Sequence, residues 1–165
     1  MELFRIAEEK YASDLIASGI AGRWNDDNEF VIYTASSRAL GTLEKVIRFQ
    51  SIHPKVVYKV MVIFIPDNPD LITEVKIGHL PSYWREVSAY PELKAIGTDW
   101  YNKRKSLVLK VPSSIITKEF NFLINTEHPD FGVVKLALIE DYFFDERLLS
   151  MNSSGAKASK SKTKK

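Results

Sequence analysis

The sequence predicts an α+β fold, because its strand-like runs outnumber its helix-like runs and do not alternate with them as a doubly wound parallel sheet requires. Two further observations agree. An apolar share of 45% in 165 residues suits one domain around one core and excludes disorder along the whole chain. The longest uninterrupted apolar run, Val60 to Ile65, has the length of a strand and not of a membrane span.

Taken in order, Tyr11 to Ser18 is predicted as a short helix ended by Gly19. Glu29 to Ala35 alternates as a strand, with Val31 and Tyr33 on one face and Phe30, Ile32 and Thr34 on the other. Ser36 and Ser37 are N-cap candidates for a helix from Arg38 to Phe49, whose apolar stripe is Leu40, Leu43 and Ile47. Val56 to Ile65 reads as a strand stopped by Pro66. Ser82 to Glu86 reads as a helical turn. Ala89 to Trp100 holds a second helix after Pro91, interrupted at Gly97. Ser106 to Val111 is a strand ended by Pro112. Gly132 to Ile139 is the last strand, followed by Tyr142 to Leu148.

One boundary is clear. After Leu149 the large apolar residues stop, and Ser, Gly, Ala, Lys and Thr dominate. Residues 1–149 are therefore expected to fold as the domain, and residues 150–165 to form a disordered lysine-rich tail. The formal charge is +2, and five lysines lie in the tail, so the folded part stands at −3. That balance argues against direct nucleic-acid binding by the domain. Met1 to Lys10 carries three glutamates and no signal-peptide core, so secretion by that route is not expected. The absence of cysteine excludes disulfides and thiolate chemistry and suits a cytoplasmic location. His53, His79 and His128 are widely spaced, so no metal site is expected. The sequence contains no Gly-x-Gly-x-x-Gly or Walker-type loop and no Gly-x-Ser-x-Gly elbow.

Several clusters could carry chemistry. Gly22-Arg23-Trp24-Asn25 places an arginine in a glycine-containing loop, where its fork suits a phosphate or carboxylate. The same arginine could equally stack on Trp24 as surface packing. Tyr33 offers a flat ring and a hydroxyl, or simply half-buries in its strand. Glu44 borders the helix stripe, where it could enter a cleft or pair with Arg48 at i, i+4. Ser113 and Ser114 follow Pro112 at a strand end, a good position for ligand contact and also for a turn. The stretch from Asn121 to Asn125, with His128-Pro129, is accounted for by Asx turns and an X-Pro bend.

The order of these clusters resembles the RES-domain family, named for Arg, Glu and Ser. The resemblance begins at Phe4-Arg5-Ile6-Ala7 and runs through Gly22-Arg23-Trp24-Asn25, Phe30 to Thr34 and Leu43-Glu44-Lys45-Val46. It continues through Leu80-Pro81, Trp84, Ile96 to Trp100, Leu107 to Ser113, Asn121 to Asn125 and His128-Pro129, and closes at Phe144 to Arg147. It implies an ADP-ribosyltransferase-like fold of mixed sheets with flanking short helices, and a toxin that uses NAD⁺ as substrate with no separate cofactor. It implies a cognate antitoxin with a helix-turn-helix domain that covers the active site, and leaves open a homodimer within that complex. Carried over by motif, Arg23, Glu44 and Ser113 are the catalytic set. Arg5, Arg23, Tyr33 and Ser113 are the NAD⁺-binding set. Some members have an aromatic residue after the first arginine, where this chain has Ile6, so stacking on nicotinamide falls to Tyr33.

The chemistry suits these residue types. The nicotinamide nitrogen in NAD⁺ is already cationic, so its departure needs no general acid, and the barrier lies in an oxocarbenium-like ribosyl state. The resemblance gives Glu44 the stabilisation of that charge, Arg5 and Arg23 the phosphate oxygens, and Ser113 a hydrogen bond that fixes the pose. The acceptor (water, phosphate or a protein side chain) is left open, so protein ADP-ribosylation stays an alternative. An inactive binding module is the other.

Overall fold

Seven strands and two α-helices are laid down along the chain in a computed structural model that describes residues 1–48, 56–145 and 147–148, the Arg48 side chain excepted. The strands are β1 (Glu2–Glu8), β2 (Val31–Ala35), β3 (Tyr58–Phe64), β4 (Ile72–Glu74), β5 (Val108–Pro112), β6 (Phe120–Asn125) and β7 (Lys135–Tyr142). The helices are α1 (Arg38–Arg48) and α2 (Tyr90–Lys103). The sheet order is β4-β5-β6-β2-β1-β3-β7, antiparallel throughout except for the β4–β5 pair. This is the α+β class expected.

The sheet is two half-sheets that meet at a narrow seam. β1 pairs with β3 along its whole length, and β2 pairs with β6 along its whole length. β1 and β2 share one register pair, Phe4 opposite Ala35. Freed from one another elsewhere, the halves turn their inner faces together. Leu3, Ala7, Met61 and Ile63 from one half pack with Ile32, Val108, Phe122 and Ile124 from the other. Alternation along β1 sends Phe4 and Ile6 outward, where they pack with Val60, Val62 and Val46 of α1. Alternation along β2 sends Val31 outward, where it packs with Leu109, Leu123 and the α2 residues Leu93 and Trp100. Both halves thus bury side chains on both faces, except at the edge strand β7, where Leu138 and Ile139 stay 53% and 43% exposed; each large apolar side chain contributes about 1.5–3 kcal/mol on burial.

Several expectations need correction. Residues Tyr11 to Ser18 do not form an α-helix. A 3₁₀ turn spans Glu9–Tyr11, and Leu15 and Ala17, two apart, both pack on the inner core. That is the spacing of extended chain, not of a helix face. β1 was not expected, because Glu2 and Glu8 at its ends hide the apolar interior. β4 was not expected either, being three residues long. In α1, Ser37 Oγ accepts the Leu40 N–H at 3.1 Å as an N-cap, and the helix reaches Arg48, with Phe49 outside the described residues. Ile47 is 59% exposed, and Val46 packs in its stead.

β6 replaces the string of Asx turns expected around Asn121. Asn125 alone makes such a turn, its Oδ1 accepting the Glu127 N–H at 2.9 Å. α2 is not interrupted at Gly97. A Cβ there would stand 1.6 Å from the Trp24 carbonyl oxygen, so glycine serves a close approach within an unbroken helix. β7 starts at Lys135 and not Gly132, which sits in a 3₁₀ turn, Pro129–Val133. Among the described residues no helix is long and apolar enough to cross a membrane. His53 and the tail from residue 150 lie outside the described residues.

Candidate active site

α1 begins at the seam between the half-sheets. The first turn can come close because the facing residues are small. The Gly41 position is 3.7 Å from Ala35 Cβ and 3.8 Å from the Phe4 carbonyl oxygen, measured from where a Cβ would be. Glu44 follows Gly41 by three residues and therefore lies on the same helix face. Asn121 of β6 stands directly opposite Ala35, and on its other side opposite Val111 of β5. Ser113 lies just past the end of β5. Register thus delivers three side chains to one corner.

Their bonding is specific. Ser113 Oγ donates to Glu44 Oε1 at 3.1 Å, and Asn121 Nδ2 donates to the same oxygen in a short hydrogen bond. Ser113 is fully buried, and its hydroxyl also accepts the N–H groups of Ile115 and Ile116, each at 3.1 Å. The Ser113 hydroxyl is saturated in this arrangement, so it reaches a substrate by exchanging one of these bonds. Glu119 braces the corner: its carbonyl accepts the Ser113 N–H at 2.9 Å, and its Oε2 accepts from Ser37 Oγ at 3.1 Å. Hydrogen bonds to a charged group contribute about 1.5–3 kcal/mol each. Among the described residues the hydrogen-bond partners of Glu44 are these two groups; the Arg48 side chain considered for it lies outside the described residues.

A second cluster lies on the same face. Tyr33 precedes Ala35 by two residues and stands opposite Leu123, making it a diagonal neighbour of Asn121. Such diagonal positions are roughly 7–8 Å apart. The Tyr33 hydroxyl donates to Asn25 Oδ1 at 2.8 Å and accepts the Trp24 N–H at 3.1 Å. Asn25, 1% exposed, uses its amide nitrogen on the carbonyls of Ile20, Asp26 and Glu29. Gly22 fits beneath them, since a Cβ there would lie 2.6 Å from the Tyr33 hydroxyl oxygen. Trp24 is buried against α2, so it is no stacking platform for Arg23.

Arg23 instead projects from this loop over Tyr90, its guanidinium carbon 4.7 Å from the ring centre. Its Nη1 donates to the carbonyls of Trp84 and Arg85 at 3.0 and 3.1 Å. These partners are neutral, which keeps its charge available to an anion. Beside it, Asp26, Tyr90, Pro91 and Lys94 line a surface concavity of about 400 Å³. Its hydrogen bond to Asp26 pushes the Lys94 ammonium above its ordinary pKa.

Arg5 lies across the seam, on β1 and on the face shared with Leu3 and Ala7, and its Nη1 donates to the Ile16 carbonyl at 3.1 Å. Of the residues singled out in sequence, Glu44 and Ser113 are in contact. Tyr33 shares their face, and Arg23 adjoins Tyr33 through its loop. Asn121 and Tyr90 were missed as site residues, and Asn25, though part of the Gly22-Arg23-Trp24-Asn25 cluster, was given no role. For Asn121 a signal existed, since β6 alternation carries it to the Leu123 side, but the segment was read as a turn. Among the described residues no group of three or more His, Cys, Asp or Glu could hold a metal ion.

Comparison with known proteins covers the whole of this arrangement. Residues 2–145 match the family model described as the RES domain. A relative from Sphingobium sp., named Prs ADP-ribosylating toxin, is 33% identical over 142 residues, covering 84% of this chain and 88% of the relative. A relative from Yersinia enterocolitica, named Toxin Res, is 30% identical over 154 residues, covering 90% of this chain and 99% of the relative. The fold is similar to that in the crystal structure of the M. tuberculosis MbcT–MbcA toxin–antitoxin complex. The TM-score is 0.70 at 15% identity, over 93% of this chain and 87% of that one.

Proposed function

This chain belongs to the RES-domain family of toxins, and on that premise we propose that it consumes NAD⁺ by cleaving the bond between nicotinamide and ribose. The observation that carries the reading is the Glu44 carboxylate, gripped on one oxygen by Ser113 and Asn121 at the mouth of the seam. In the proposed step the ribosyl C–N bond breaks and its electron pair leaves with neutral nicotinamide. Positive charge then develops on the ribosyl carbon. A preorganised carboxylate stabilises that charge more than it stabilises the ground state, which is the requirement for catalysis. An acceptor hydroxyl then adds to the same carbon and releases its proton.

The remaining groups fall into binding roles. Tyr33 places an aromatic ring beside this corner for the nicotinamide, its hydroxyl already occupied by Asn25 and Trp24. Arg23 takes the pyrophosphate oxygens, giving up bonds to backbone carbonyls for stronger charge-assisted ones; for Arg5, which leaves β1 on the face opposite to α1, a phosphate contact rests on the family pattern alone. Ser113 holds Glu44 and contacts the substrate after exchanging a bond.

A second reading, transfer of ADP-ribose to a protein, is favoured by the name of the Sphingobium relative. The chain is further proposed to act in the cytoplasm, where NAD⁺ is available. A cognate helix-turn-helix antitoxin is proposed to hold it silent by covering the site; the antitoxin partner, and no more than that, is supported by the complex in which the MbcT fold was solved.

The test is to mix the purified chain with NAD⁺ and follow nicotinamide release, beside Glu44→Gln. Release by the wild type alone is expected. Release that needs an added protein acceptor, with label from the adenylate moiety entering that protein, would replace depletion by ADP-ribosylation. No release under either condition from soluble wild-type protein would overturn both.

A further inference from the structure

We propose that Asn121 is a positioning residue that decides which oxygen of Glu44 faces the substrate. This rests on the NAD⁺ reading above. Both donors at the corner, the Asn121 amide and the Ser113 hydroxyl, converge on Oε1. An ionised carboxylate accepts hydrogen bonds and donates none, so the amide nitrogen is the Asn121 atom that can face it. Two donors on Oε1 fix the carboxylate about its terminal torsion, a broad and otherwise soft rotation. Oε2, which has no hydrogen-bond partner among the described residues, is the oxygen left for the substrate.

Asn121 is the better fixed of the two donors. Its backbone is held on both sides, opposite Ala35 of β2 and Val111 of β5. Ser113 sits past the strand end, and its hydroxyl serves three partners at once. When substrate draws on Ser113, the Asn121 bond keeps Glu44 in place. The residue thus acts through Glu44 and need not touch NAD⁺ itself.

Two measurements on Asn121→Ala and Asn121→Asp test this. The first is turnover of NAD⁺. Asn121→Ala is expected to lower kcat by about tenfold to hundredfold, the equivalent of one charge-assisted hydrogen bond, with KM within about twofold. Asn121→Asp, nearly isosteric, replaces the donor by an acceptor beside Glu44 and is expected to lose at least as much kcat as Asn121→Ala. The second measurement is the carboxyl carbon signal of Glu44 by NMR with labelled glutamate, which needs no turnover. It is expected to move in both variants. An unchanged signal in soluble Asn121→Asp overturns the proposal, as does unchanged kcat in Asn121→Ala. A moved signal in protein that never turns over NAD⁺ upholds the grip on Glu44 and overturns the NAD⁺ reading alone.

Discussion

The Glu44 corner and the Arg23 loop lie on one face of the same half-sheet but are built on different principles. At the corner, position comes from ladder register and one helix cap: Ala35, Asn121 and Val111 align across three strands, and Ser37 starts α1. In the loop, Gly22 to Asn25 has no ladder. Asn25 satisfies three backbone carbonyls, the Tyr33 hydroxyl ties two residues, and Gly97 lets α2 close against Trp24. Register is shared among many bonds, so a single change at the corner should alter chemistry more than stability. Loop geometry rests on a few close contacts, so a single change there should alter stability first.

The largest contrast is expected from Glu44→Gln. It should lower the rate of the proposed NAD⁺ cleavage by about 10²–10³-fold, equivalent to about 2.7–4 kcal/mol in the barrier. Its thermal unfolding should stay close to wild type. A large fall in melting temperature would erase the distinction between the regions.

Gly97→Ala comes next. The added Cβ cannot coexist with the Trp24 carbonyl oxygen 1.6 Å away, so α2 and the loop must separate. Denaturant unfolding is expected to show a loss of about 3 kcal/mol, the upper range for overpacking.

Tyr33→Phe removes the hydroxyl and keeps the ring. It leaves the Asn25 Oδ1 and the Trp24 N–H without that partner. A loss of about 1–2 kcal/mol is expected by the same assay. The ring proposed to stack on nicotinamide is kept, so KM should change less than in Tyr33→Ala.

The smallest effect, and the one of opposite sign, is expected from Gly41→Ala. Its Cβ would make ordinary contacts, the nearest at 3.7 Å, and the helix would gain an intrinsically better residue. Stability should rise by about 0.5–1 kcal/mol. A loss would mean that α1 has no room at the seam and that the corner is as tight as the loop.

The two regions were also unequally legible. Glu44 and Ser113 stood out because a helix border and a strand end are visible in apolar spacing, and their family pattern lay in order along the chain. Their contact was not visible, since it depends on β6 lying between β5 and β2. β6 was hidden by Asn121 and Asn125, whose residue type favours turns while their position is set by tertiary pairing. β1 was hidden by its terminal glutamates. Gly97 was read as a helix breaker from its intrinsic propensity, and the close approach to Trp24 overrode that propensity. In the loop, Arg23 was noticed for its charge, but Asn25 and Tyr90, which hold the loop and the guanidinium, carry no spacing signal at all.

The pairing of β2 with β6 has a consequence for how the protein is born. The ladder partner of residues 31–35 is residues 121–125, so during synthesis β2 waits for most of the chain before its long edge is satisfied. Its short bridge to β1 cannot hold that edge alone. Glu44 emerges early, while the two groups that aim it emerge late. A ribosome-bound fragment therefore carries the carboxylate without its aim. The activity should switch on late in translation, leaving a harmful protein inert for most of the time it takes to make.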